Sequence, residues 1–362
     1  MIDLQESAIR IWGSTNHGDV FRKMVRAFTR NGPGHEPLHS WVATDFPYYR
    51  SDLPSPLPTT EEIMDKNNEN FNSDGGLPVV RVRDYVVKYA GSPEILQEAE
   101  NMLFLEKNCP ELKIPKVFAA YQELIDNEWT GSFIVTEYIK GRTCWTGENP
   151  PLSPKTKTNV YRKLREQLQL LRSVVPPEPR YYGRVYHQPI SCKTNLWLSK
   201  YASDDVWYGP FNSYQEFTDF WFECCLENAT LDSLNDEGTS TTFTPNVSPY
   251  VEYFKPIMAR AGGQNPVLTH GDLQLHNVMM KDVPEGGDPE DPEIYIIDWG
   301  GLAWMPAWVE TARSLMKCAN GSREYMAEVH KGDPEPHYDT AMFIAKFNDV
   351  CGKTAGGWGT LV

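Results

Sequence analysis

The segment His270-Gly271-Asp272-Leu273-Gln274-Leu275-His276-Asn277, followed by the apolar run Ile294 to Ile297 and then Asp298-Trp299-Gly300, constrains this chain more than any other feature. Phosphoryl transfer needs a carboxylate to orient or deprotonate an attacking hydroxyl, and hard oxygens to hold magnesium on the phosphates. Asp272 suits the first task, Asn277 and Asp298 the second. A strand, a turn and a strand between Asn277 and Asp298 would return the second ligand beside the first and leave residues 281–292 looping out. Matches of this kind arise by chance in about 2% of chains this long, so the motif needs independent support.

Support comes from upstream. PVVRVRDYVVKYA clusters β-branched residues on either side of a polar Arg-Asp break, which predicts a strand pair beginning near Leu77. Ser92-Pro93 then gives a cap and first turn to a helix through EILQEAENMLFLEK, where Ile95, Ala99, Met102 and Leu103 recur at helical spacing. A strand ending in Val86-Val87-Lys88 ahead of a helix bearing Glu98 and Glu100 is the context of a phosphate-binding lysine held by a helix carboxylate. Taken alone, Lys88 reads as a solvated strand residue. KIPKVFAAYQE and GSFIVTEYI predict two more strands.

After Gly141 the texture turns helical, with Val160, Leu164, Leu168 and Leu171 on one face behind Ser153-Pro154. A capping box at Ser213 and Glu216 opens an aromatic helix, and further helices are expected near 306–318 and 339–350. Residues 1–70 hold one helix around Val20 to Phe28 and then a stretch rich in Pro, Asn and Asp, which reads as an extension. The expected organisation is therefore an extension over 1–70, a β-rich lobe over 71–140 that binds nucleotide, and an α-rich lobe over 141–362 that carries catalysis and the acceptor.

Composition narrows the partners. Lys and Arg number 34 against 49 for Asp and Glu, and a net charge of −15 opposes general attraction to nucleic-acid phosphates. The 7 cysteines include no C-x-x-C pair, so they read as reduced, mostly buried thiols. The first residues mix charges and no later run spans a bilayer, so a cytoplasmic protein without a membrane partner is expected. No Walker A sequence is present, and Gly32-Pro33-Gly34 reads as a turn. Gly75-Gly76 marks a phosphate loop only weakly.

RVRDYVVKYA, EAENMLFLEKN…IPKVFAAY, FIVTEYIKGRT, GPFNSYQEF, VLTHGDLQLHNVMM and YIIDWGGLAWMPAWVE occur in an order that resembles the aminoglycoside phosphotransferase and choline kinase group, over about residues 75 to 315. The resemblance implies an α+β, protein-kinase-like bilobal fold with a β-rich N-lobe carrying one helix and a larger α-rich C-lobe. It also implies ATP and Mg2+ as cofactors and a small-molecule acceptor hydroxyl. It makes Asp272 the catalytic base or hydroxyl positioner, Asn277 and Asp298 the magnesium ligands, and Lys88 the contact to the α- and β-phosphates. Glu98 aligns better than Glu100 as the lysine's partner. Thr136, Glu137, Tyr138 and Ile139 would form the hinge that meets adenine, with Val86 and Ile297 as apolar walls, and His270 would brace the catalytic loop.

Gly271 stands where a protein kinase carries Arg, and no A-P-E sequence follows Asp298, which disfavours protein substrates. A catalytically silent nucleotide-binding scaffold is the competing expectation, and transfer to a carboxylate stays open. For the acceptor, cationic molecules included, Asp204, Asp205, Trp207, Trp304 and Glu310 are the candidates, Glu310 serving equally well at a helix N-terminus.

Overall fold

The computed structural model describes residues 2–30, 42–72, 76–125, 129–144, 152–191, 207–317, 328–330 and 337–351. In chain order the elements are α1 (Leu4–Trp12), α2 (His17–Arg30), β1 (Tyr48–Tyr49), α3 (Thr60–Ile63), β2 (Glu69–Asn70), β3 (Val79–Val82), β4 (Tyr85–Ala90), α4 (Leu96–Asn108), β5 (Val117–Leu124) and β6 (Thr130–Glu137). There follow β7 (Gly141–Thr143), α5 (Pro154–Arg172), β8 (Ile190–Ser191), β9 (Trp207–Tyr208), α6 (Tyr214–Ser233), α7 (Ser248–Met258), β10 (Pro266–Thr269), β11 (Val278–Lys281), β12 (Ile294–Ile296), β13 (Ala303–Pro306), α8 (Val309–Lys317) and α9 (Tyr338–Cys351). Contacts divide the chain into a unit of residues 33–174 and 272–302 and a unit of residues 1–32, 175–271 and 303–362.

The first unit is built on a six-stranded antiparallel sheet in the order β1-β5-β6-β4-β3-β2. The Arg-Asp break is the turn between β3 and β4, where Arg83 takes φ 55. Alternation along β4 sends Tyr85 and Val87 into a core with Phe118, Phe133 and Val135. Lys88 consequently lies on the other face. The Oγ of Ser92 accepts a hydrogen bond from the Glu94 N–H at 3.2 Å in the single turn that leads into α4.

Residues 42–70, loop-like in sequence, supply both edge strands. β1 pairs with β5 through Tyr48↔Ala120, and β2 pairs with β3 through Asn70↔Val80. Glu100 anchors this stretch by accepting the Ala43 and Thr44 N–H groups at 2.8 and 2.7 Å, while Arg50 Nε donates to the Val117 carbonyl at 2.9 Å. Strands of two residues leave no periodicity to read.

A second sheet in the same unit runs β12-β11-β7, with Val278 opposite Ile296 and Met279 opposite Thr143. Residues between β11 and β12 do loop out, but α5 ties them down. Lys155 lies 3.1 Å from Asp288, Lys163 lies 2.8 Å from Asp291, and Ser153 donates to Glu290 at 2.9 Å.

The other unit packs around aromatic side chains. Phe217 meets Trp221 at a tilt and Trp221 meets Trp308 edge-on, and Phe222, Phe254 and Phe347 continue the core. The helix expected around Val20 to Phe28 is part of α2. Helix α1 was not expected; it is capped by Asp3, buries Leu4, Ala8 and Trp12, and donates from Trp12 Nε1 to Thr230 Oγ1 at 3.1 Å. The strand pair β10 and β13, in register at Val267↔Met305, leads into His270. No helix among the described residues is long and apolar enough to cross a membrane.

Candidate active site

Lys88 sits on the sheet face that α4 covers, and its Nζ lies 2.6 Å from Glu98 Oε2 and 2.9 Å from Asp298 Oδ1. Of the two glutamates on α4, Glu98 reaches the lysine and Glu100 turns to the backbone at residues 43 and 44. Burial pulls the Lys88 pKa down, but the charges of Glu98 and Asp298 and its hydrogen bonds to both outweigh burial and leave it raised. The ammonium is therefore a permanent cation. Ion pairing explains how a charged strand residue tolerates this position.

The hairpin expected from the spacing is present and joins the remaining groups. Asn277 and Asp298 flank the paired strands β11 and β12, and the Ile297 N–H donates to the Asn277 carbonyl at 3.0 Å. Asn277 Nδ2 donates to the Asp272 carbonyl at 2.8 Å, which fixes the amide and closes the loop from 272 to 277. Asp272 and Asn277 are both buried, and Gln274 Nε2 donates to Asp272 Oδ1. Just before Asp272, the N–H groups of His270 and Gly271 donate to Glu310 Oε2 at 2.8 and 3.2 Å. His270 is itself fully buried.

Thr136 and Glu137 end β6, and Tyr138 and Ile139 follow. The Glu137 N–H donates to the Lys116 carbonyl at 2.9 Å and the Tyr138 N–H to the Asp84 carbonyl at 3.1 Å, so both donors are already used. The Tyr138 ring stacks on Phe71, with centroids 6.4 Å apart, and carries the Arg81 guanidinium 4.0 Å from its centroid. Val86 and Ile297 are half-buried, and Ile139 is buried.

Among the acceptor candidates, Asp204 and Asp205 lie outside the described residues, as does Gly75 of the weak phosphate loop. Trp207 is half-buried in β9. Trp304 is buried and packs edge-on against Tyr181 at 5.8 Å. Glu310 lies in the first turn of α8, buried, with its carboxylate on the backbone at His270 and Gly271. Two residues escaped the sequence reading: Gln274, which holds Asp272, and Asn101, whose Nδ2 donates to the Trp299 carbonyl at 2.8 Å. Gln274 lies inside the motif and could have been flagged there, whereas nothing in the sequence singles out Asn101.

Residues 71–344 match the model of the phosphotransferase enzyme family. Among solved structures, the chain is similar to an aminoglycoside 2'-phosphotransferase-IIIa in complex with GDP, at 16% identity over 80% of this chain and 88% of that one, with a TM-score of 0.51. It is also similar to an aminoglycoside-3'-phosphotransferase of type VIII, at 15% identity over 78% and 91% of the two chains and a TM-score of 0.42. A macrolide 2'-phosphotransferase from Brachybacterium faecium gives 14% identity over 77% and 81%, again with a TM-score of 0.42. No curated protein sequence gives a significant match. The family match covers most of the chain, and the first of these structures supports the α+β, kinase-like fold. The chain belongs to the phosphotransferase enzyme family.

Proposed function

We propose that the protein is an ATP- and magnesium-dependent phosphotransferase that moves the γ-phosphate to a hydroxyl of a small molecule. The observation that carries this reading is the Lys88 ammonium shared between Glu98 at 2.6 Å and Asp298 at 2.9 Å. A cation held by a helix carboxylate, next to a carboxylate whose side chain is 44% exposed, suits phosphate oxygens on one side and a metal ion on the other.

The donor set fits magnesium. Asn277 and Asp298 offer hard oxygens from the adjoining ends of β11 and β12. Because Asn277 Nδ2 is used by the Asp272 carbonyl, its Oδ1 is the atom that would serve the metal. When bound, magnesium and nucleotide supply the phosphoryl group and neutralise its charge. Lys88, held by Glu98, would bind the phosphate oxygens and offset their charge. Asp272, its carboxylate steadied by Gln274, aligns and deprotonates the acceptor hydroxyl. With the Glu137 and Tyr138 N–H groups used internally, the adenine edge falls to the carbonyls of this stretch and to the Ile139 N–H. Val86 and Ile297 line the base.

Gly271 in place of Arg removes the anchor of a phosphorylated activation loop, which favours a small acceptor over a protein. Hydroxylated small molecules are the acceptor class, cationic ones among them because of the net charge of −15. The test is mass spectrometry of amino-alcohol, aminoglycoside, macrolide and sugar panels incubated with magnesium and γ-18O-labelled ATP. Labelled phosphate on an acceptor hydroxyl is the expected result. Absence of magnesium-dependent ATP binding would overturn the reading.

A further inference from the structure

Helix α4 grips residue 299, next to Asp298, at both of its peptide groups. Glu98, besides meeting Lys88, accepts a hydrogen bond from the Trp299 N–H. Asn101, one helical turn further on, donates from Nδ2 to the Trp299 carbonyl at 2.8 Å and to the Gly300 carbonyl at 3.4 Å. Asn101 is 0% exposed, and so is Trp299, whose indole N–H donates to the Ile296 carbonyl at 2.9 Å. Between these fixed points Asp298 has φ 64 and ψ 63. That left-handed conformation is uncommon outside glycine, though Asp adopts it more readily than most residues, and it persists where the surroundings hold it.

We propose that Asn101 is a positioning residue: it holds Asp298 in its left-handed conformation and ties the metal-side carboxylate to the Lys88–Glu98 pair. The inference rests on the function proposed above for that site. Asn101 acts only through the backbone at 299 and 300. An amide suits the position, since a carboxylate there would face the Trp299 carbonyl, and an apolar side chain would take the donor from a buried acceptor. The arrangement makes α4 a single bracket for both ends of the site, the lysine through Glu98 and the metal carboxylate through Asn101.

The test uses the full chain and two variants. Asn101→Leu removes the donor while keeping a branched side chain of four heavy atoms, bulkier than the amide, and Leu105→Ala, fully buried on the same helix, controls for lost stability. Amide exchange at Trp299 and Gly300 is measured without ligand, and ATP binding is titrated against magnesium by calorimetry. Asn101→Leu should speed exchange at Trp299 about tenfold or more and raise the magnesium half-saturation about tenfold, while magnesium-free ATP binding stays unchanged. Leu105→Ala should lower Tm without moving the half-saturation. Unchanged exchange at Trp299 would overturn the bracket, and faster exchange with an unchanged half-saturation would overturn the positioning role. A wild type without magnesium-dependent ATP binding would overturn the function proposed above and the metal role with it, while the exchange arm still judges the bracket.

Discussion

Lys88 shows how this chain places charge in a packed interior. Burial works against its ammonium, and two carboxylates within hydrogen-bond reach more than restore it. Cys144 and Tyr121 show burial prevailing: it pushes their pKa values up to about 12 from ordinary values of 9.0 and 10.0, against the Arg142 charge beside the thiol and the Thr60 hydrogen bond to the phenol, and with help from the Glu123 charge at the phenol. Both groups hold their protons more tightly folded than unfolded. The stability this confers is complete below pH 9 for the thiol and below pH 10 for the phenol, and it is lost as pH rises toward 12. The unfolding free energy is therefore expected to fall between about pH 9 and 12, by an amount on the order of a few kcal/mol, and the urea midpoint to fall with it. A flat midpoint across that window would contradict the burial of Cys144. At this scale the sequence was informative where chemistry fixes spacing, as at Asp272, Asn277 and Asp298. It was silent at Asn101, because its task depends on which carbonyl the folded chain brings to it.

Among the elements, the least legible stretch has a large share in the sheet. Residues 42–70 close both edges with strands of two residues each, too short to show alternation. They are held by hydrogen bonds to other elements, foremost the Glu100 carboxylate on the Ala43 and Thr44 N–H groups. Glu100→Ala would leave those donors without their acceptor and should lower stability by about 1–3 kcal/mol in urea unfolding, with ATP affinity unchanged. A midpoint equal to wild type would mean that the stretch is held by other contacts. The strand pair at β3 and β4 and the helix α4 were legible because several local signals agree there: β-branched runs, a polar break, and the Ser92-Pro93 cap. Helix α1 carries the same kind of local signals, an Asp3 cap and Leu4, Ala8 and Trp12 at helical spacing, and was legible though not expected.

In the whole molecule, compactness does not follow chain order. One unit joins residues 33–174 to 272–302, and the other joins three separate stretches, whereas a reading along the chain divides it at 70 and 140. Helix α5 and the strands β11 and β12 lie far apart in sequence yet share a unit, through contacts such as Lys163 to the Pro292 carbonyl at 2.8 Å. Long-range contacts of this kind leave no local signature. The site residues Lys88, Glu98, Asp272, Asn277 and Asp298 all fall in that one unit. The central claim, that this constellation performs phosphoryl transfer with Asp272 on the acceptor hydroxyl, is tested most directly by the kcat and the ATP Kd of Asp272→Asn beside wild type. The account predicts a kcat lower by roughly 10²- to 10⁴-fold with ATP affinity within about twofold of wild type. Turnover retained at the wild-type rate would contradict it.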